Sequence, residues 1–98
     1  FTMSAQLKLW MDRCFALPAY AKDPFKGKKI AVAMAYGGED PFDSGCVNAL
    51  RTFQDAYGYA GAKIEGFVYG SAMKAGEIRK NKALMEAAVE LGKKLAGD

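Results

Sequence analysis

Hydrophobic and polar residues alternate along this 98-residue chain with two different periods, and the periods mark out five elements. From Ser4, the apolar residues Leu7, Trp10, Met11, Cys14 and Phe15 recur at the three-to-four spacing of one helical stripe. Ser4 is a suitable N-cap, and Pro18 stops the helix. Residues 17–27 form a polar loop. Lys28-Lys29 then leads into an unbroken apolar run, Ile30–Tyr36, closed by Gly37-Gly38. A run this short, without alternation, predicts a strand buried on both faces, as in a parallel sheet.

After the loop Glu39–Asp43, a second helix is expected from about Ser44. Val47, Leu50, Phe53 and Tyr57 mark its buried side, and Gly58 and Gly61 are its stop signals. Ala62–Tyr69 reads as a second strand, and Gly70–Lys80 as a longer loop. A last helix runs from about Asn81 to Leu95, with Leu84, Met85, Ala88, Leu91 and Leu95 on its inner face. The order α-β-α-β-α predicts parallel strands joined by right-handed crossovers. Two strands alone make a poor sheet, and an apolar strand needs neighbours along both edges. The expected fold is therefore α/β, the C-terminal half of an open doubly wound parallel sheet, with residues 1–98 as one partial domain. Phe1–Lys8 reads as a strand-exit loop entering a helix, so a preceding segment or a second copy is expected to complete the sheet.

Composition changes this picture little. Half of the residues are hydrophobic and 12% are aromatic, which calls for a packed core. The formal charge of +3 comes from basic residues interspersed with acidic ones along the sequence. No dense basic stripe predicts nucleic-acid binding, and the longest apolar run falls far short of the ~20 residues of a spanning helix. Neither a nucleic acid nor a membrane is expected as a partner.

Chemistry is bounded more tightly. The chain contains no histidine, which removes imidazole acid–base catalysis, Ser–His and Cys–His nucleophiles and most transition-metal ligation. Cys14 and Cys46 belong to no C-x-x-C pair, so no zinc or iron–sulfur site is expected from these residues. Two unpaired thiols predict a reducing, cytoplasmic setting. Glu39, Asp40 and Asp43 read as a solvated acidic loop rather than a metal site. Trp10, Phe53 and Tyr57 read as packing residues. No side chain is a convincing general acid or base, so catalysis must lean on a bound cofactor.

Several segments together point to a family. Phe1-Thr2-Met3-Ser4-Ala5-Gln6-Leu7-Lys8 with Met11-Asp12-Arg13 resembles the loop and helix after the third strand of flavodoxin-like NAD(P)H-dependent FMN reductases. The multimeric flavodoxins and iron–sulfur flavoproteins of that superfamily share it. The strand ending in Tyr36-Gly37-Gly38, the stretch Asp40–Tyr57 and Phe67–Ala72 are similar to the same family.

The resemblance covers nearly all of the chain but about half of the family's domain. It implies a five-stranded flavodoxin fold in which the two strands here are the fourth and fifth. The first three strands, the first two helices and the loop that grips the FMN phosphate would lie outside this sequence. It also implies FMN as cofactor and NAD(P)H as substrate, with Phe1, Thr2, Met3, Ser4, Tyr36, Gly37 and Gly38 lining the isoalloxazine ring. Weak or absent FMN binding is then expected of this fragment alone, together with a homo-oligomer or a missing N-terminal half as partner. The loop residues Lys74, Arg79, Lys80 and Lys82 read first as solvated charge, with nucleotide phosphates or a neighbouring subunit as the alternative. Two rival functions stand beside the reductase: an electron-carrier flavoprotein, which the positive charge balance disfavours, and a flavin-free oligomerising module.

Overall fold

The computed structural model describes residues 1–97. Three helices, α1 (Ala5–Cys14), α2 (Cys46–Tyr59) and α3 (Lys82–Leu95), alternate with two strands, β1 (Lys29–Tyr36) and β2 (Lys63–Ser71). The strands pair in parallel, as the helix–strand alternation predicts. Ser4 caps α1 by accepting from the Leu7 N–H (3.2 Å), and Asn81 caps α3 by accepting from the Leu84 N–H (3.1 Å).

The pleat sorts the sheet's side chains into two layers. Ile30, Val32, Met34 and Tyr36 of β1 join Phe67 of β2 on the face packed by α1 and α2. The core there consists of Met11, Val32, Cys46, Leu50, Phe53 and Tyr57. Tyr57 is its hub: its ring stacks on Phe53 (6.2 Å) and meets Phe25 edge-on (5.4 Å). Ala33, Ala35 and Val68 face the other way, towards Leu84, Met85 and Ala88 of α3.

Several local expectations need correction. β1 is not buried on both faces: Val32 is buried, but Ala33 and Ala35 are exposed. One edge of β1 pairs with β2, while the other has no strand beside it among the described residues. α2 begins at Cys46, after the left-handed Gly45, and runs through Gly58 before Gly61 ends it. Its inner face is Cys46, Ala49, Leu50, Phe53 and Tyr57, with Val47 only half-buried. Trp10 lies 55% exposed and Phe15 67%, because the apolar stripe of α1 is wider than the surface offered to it. No residue of α3 is buried, and Met85 and Leu95 stand partly in solvent for the same reason.

The accessible surface measures the shortfall. The described residues expose 7101 Å², whereas a compact monomer of this mass exposes roughly 5,500 Å². The radius of gyration, 14.7 Å, exceeds the ~12.6 Å expected for a compact chain of this length. Between α1 and the free edge of β1 lies a groove of about 430 Å³ lined by Leu7, Trp10, Ile30, Val32 and Phe53. Among the described residues, no helix is long and apolar enough to cross a membrane.

Candidate functional site

In a parallel sheet the loops at the carboxyl ends of the strands collect on one side. Both segments singled out from the sequence lie there. Phe1–Ser4 enters the N-terminus of α1, and Tyr36-Gly37-Gly38 leaves β1. Phe1 lies against Gly45 and Tyr36 lies beside Cys46, so both loops meet the start of α2.

The first loop is held by α2. Asn48 Nδ2 donates to the Phe1 carbonyl (3.1 Å). Gly45, with φ of 81°, sits so close that a Cβ there would fall 2.1 Å from the same carbonyl oxygen. Seating this loop on the helix start thus requires a residue without a side chain. Phe1, Thr2 and Ser4 are exposed and Met3 is half-buried. In the first turn of α1 the Leu7 amide is taken by the Ser4 hydroxyl, and the Ala5 and Gln6 amides have no acceptor within the helix.

The second loop is held by the segment after β2. Tyr36 pairs with Ser71 in the sheet, and its carbonyl accepts from the Ala72 N–H (2.8 Å). The Ser71 hydroxyl donates to the Gly38 carbonyl, and the Gly38 N–H donates to Met73 Sδ (3.2 Å). Gly38 takes φ of 86°, a left-handed conformation that only glycine adopts readily. Gly37 and Gly38 are exposed and Tyr36 is half-buried.

Beneath Met73, the Glu77 carboxylate accepts from the amides of Met73 (2.7 Å) and Lys74 (3.0 Å). Those two bonds lower the Glu77 pKa from its ordinary 4.5. Stability from this bracket is therefore fully present above 4.5 and is lost as the pH falls through the depressed value. Hydrogen exchange at the Met73 and Lys74 amides should quicken selectively below pH 4.5. An unchanged rate there would show that the bracket does not order the loop.

Tyr36 and Cys46, unlike Glu77, stay neutral at physiological pH. Desolvation first, then the adjacent Cys46, Asp40 and Tyr69 groups, raises the Tyr36 hydroxyl above its ordinary 10.0. Burial likewise raises the Cys46 thiol above 9.0. Tyr36 can donate a hydrogen bond but offers no base, and Cys46 is no thiolate nucleophile. Asp40 turns inward on its own loop and accepts from the Phe42 (2.6 Å) and Asp43 (3.1 Å) amides. Among the described residues, no group of three potential ligands could hold a metal ion.

These residues match one part of a flavin and not another. Free amides at the α1 N-terminus and the neutral Tyr36 hydroxyl suit the polar edge of an isoalloxazine ring. The backbone groups of Gly38 are already engaged by Ser71 and Met73, so this loop offers a flat surface rather than donors. Among the described residues, the other loops at this end present no cluster of free amides for a phosphate: those of 42–45 are taken by Asp40 and Phe42, and those of 73–74 by Glu77. Cavities of about 300 and 430 Å³ lie elsewhere, between α1 and α2 and beside β1. Ser71, Met73, Gly45 and Asn48 escaped the sequence reading. Ser71 and Met73 meet the glycine pair only once the register of β1 on β2 is known, and only Gly45, a glycine before a helix, carried a local signal.

Comparison with known proteins agrees with this architecture. The model of a family described as a flavodoxin-like fold matches residues 1–95. No curated protein and no solved structure matches the chain significantly. With nearly its whole length covered by that match, the chain belongs to the family of flavodoxin-like folds.

Proposed function

We propose that this chain supplies the isoalloxazine-side loops of an FMN-dependent NAD(P)H oxidoreductase of the flavin- or quinone-reductase type. The observation that carries the reading is the double anchoring of two exposed loops at the carboxyl ends of the strands. Phe1–Ser4 is fixed by Asn48 and Gly45, and Tyr36–Gly38 by Ser71 and Met73. Anchoring of this kind sets a surface in advance of binding and limits the ordering that a ligand must impose.

FMN, when bound, would accept hydride from the nicotinamide and pass electrons on. This chain's own part would be positional. The first amides of α1, with the helix dipole behind them, would donate to the polar ring edge and favour added electron density there. Tyr36 would hold a neutral donor at the ring margin, and Gly37-Gly38 would let backbone lie against its face. The phosphate grip would come from an N-terminal half of the domain, and the strand beside β1 from that half or from a second copy.

Titration of the 98-residue chain with FMN tests this division. We expect binding weaker than micromolar, because the ring surface is present without the phosphate grip. Joining the chain to the first three strands of such a fold should restore tight binding and NAD(P)H-dependent bleaching of the flavin under anaerobic conditions. Micromolar binding by the chain alone would refute the division. An absence of bleaching in the completed domain would refute the reductase.

A further inference from the structure

We propose that the opposite end of the molecule, at the amino ends of the strands, is a docking face for an anionic lipid surface. Five lysines converge there, three of them neighbours in sequence. Lys26 and Lys28 precede β1, Lys29 opens it, Lys63 opens β2, and Lys94 lies near the end of α3. The backbone clamps them together: the Lys63 N–H donates to the Lys28 carbonyl (2.8 Å), Lys29 and Lys63 are sheet partners, and Lys26 abuts Gly61.

Two carboxylates stand at this end: Asp23 is exposed three residues before Lys26, and Glu65 is turned inward. Glu65 has no partner on β1, because the register shifts there from Ile30↔Ile64 to Ala31↔Gly66. Its side chain is 2% exposed and lies 3.2 Å from Lys63 Nζ and 3.8 Å from Lys94 Nζ, both of which remain largely in solvent. The bulge thus buries Glu65 beneath Lys63 and Lys94, and the five lysines outnumber Asp23 and Glu65, so the face is net cationic.

A second feature lies at the same end. Helices that leave the carboxyl ends of strands finish at the amino ends, so α1 and α2 deliver their last residues here. Phe15, Tyr20 and Tyr59 stand 67%, 87% and 90% exposed. Lysines rimmed by exposed aromatic rings match the headgroup zone of a bilayer, where ring bodies and ammonium groups both find partners. Lysines are point charges suited to a diffuse anionic sheet, whereas nucleic-acid phosphates favour the bidentate fork of arginine. β1 is eight residues long, so the candidate flavin loops lie about 23 Å away along it and stay unobstructed. The sequence alone gave no reason to expect a membrane partner, because only the fold brings Lys63, Lys94 and the aromatic rings to Lys26, Lys28 and Lys29.

Vesicle flotation tests the proposal, since floated material is not confused with self-associated protein. The 98-residue chain should float with vesicles containing phosphatidylglycerol at low salt, and should remain behind with pure phosphatidylcholine or at high salt. A lysine beside an anionic leaflet strengthens binding about fivefold. Lys26→Glu, Lys28→Glu and Lys29→Glu combined should therefore weaken it by at least about a hundredfold. The same three positions changed to glutamine should give a smaller loss, and circular dichroism would check that each variant is folded. Arg79→Glu, Lys80→Glu and Lys82→Glu, at the other end, should leave flotation unchanged. Equal flotation with both lipids, equal loss in both charge-reversed variants, or binding to polyglutamate or DNA without vesicle binding would overturn the proposal.

Discussion

Gly45→Ala is expected to release the Phe1–Ser4 loop from α2 and to destabilise the chain by about 3 kcal/mol. Two effects combine. A left-handed backbone costs an alanine about 1–2 kcal/mol relative to glycine. The added Cβ would also overlap the Phe1 carbonyl oxygen, so the loop must move away. Once it moves, the Asn48 bond to that carbonyl goes with it.

The comparison that isolates the loop is Asn48→Ala, which removes the hydrogen bond alone and should cost about 1 kcal/mol. Urea denaturation would supply both values. Hydrogen exchange at the Ala5 and Gln6 amides should quicken in Gly45→Ala, because their surroundings lose order. In the completed domain, the same variant should weaken FMN binding while leaving the phosphate contribution intact. If Gly45→Ala denatures at the wild-type midpoint, the loop is not anchored in this way and the ring-side assignment loses its support.

The 98-residue chain is also expected to self-associate. Its excess surface, roughly 1,600 Å² over a compact monomer, would bury about twice that in a symmetric pair, within the range of obligate interfaces. β1 is the reason. From Ile30 to Tyr36 its sequence carries no charge and no proline, and its outer edge has no strand beside it among the described residues. Such an edge lacks the usual guards against pairing with another chain.

Sedimentation should show species heavier than one chain, with a proportion that rises with concentration, and thermal unfolding should be broad. Ala33→Lys, which places a charge on the exposed part of β1, should shift the distribution towards monomer. A compact monomer with sharp, cooperative unfolding would contradict the expectation. It would also remove the argument that β1 is completed by strands from elsewhere.

Legibility in the sequence followed the range of the interactions. α1 could be placed from the Ser4 cap, and both α1 and α3 from apolar spacing, because such signals act within one or two turns. β1 and β2 could be placed from short apolar runs between glycines. Exposure was misjudged wherever it depended on a partner. Trp10 and Phe15 share the stripe of Leu7 and Met11, yet the packed surface is narrower than the stripe and leaves them in solvent. Ala33 and Ala35 read as interior because β1 is apolar throughout, but burial needs a neighbouring layer as well as an apolar side chain.

The candidate site divides in the same way. Its seven residues were singled out by the family resemblance, while the two loops they form, next to a helix start and a strand end, were legible because glycine pairs and caps are local features. Their supports were not legible, because Ser71 is 33 residues from Gly38 and Asn48 is 47 from Phe1.

By itself the sequence determined the α-β-α-β-α order, the absence of imidazole chemistry and the positions of both loops, because backbone preference, side-chain inventory and capping are carried by neighbouring residues. Tertiary structure alone decided which loops lean on one another, which apolar residues find cover, and where the lysines collect. Those properties depend on the register of β1 against β2 and on the layers that α2 and α3 form around them. Register is a relation between segments some thirty residues apart, and no local pattern encodes it.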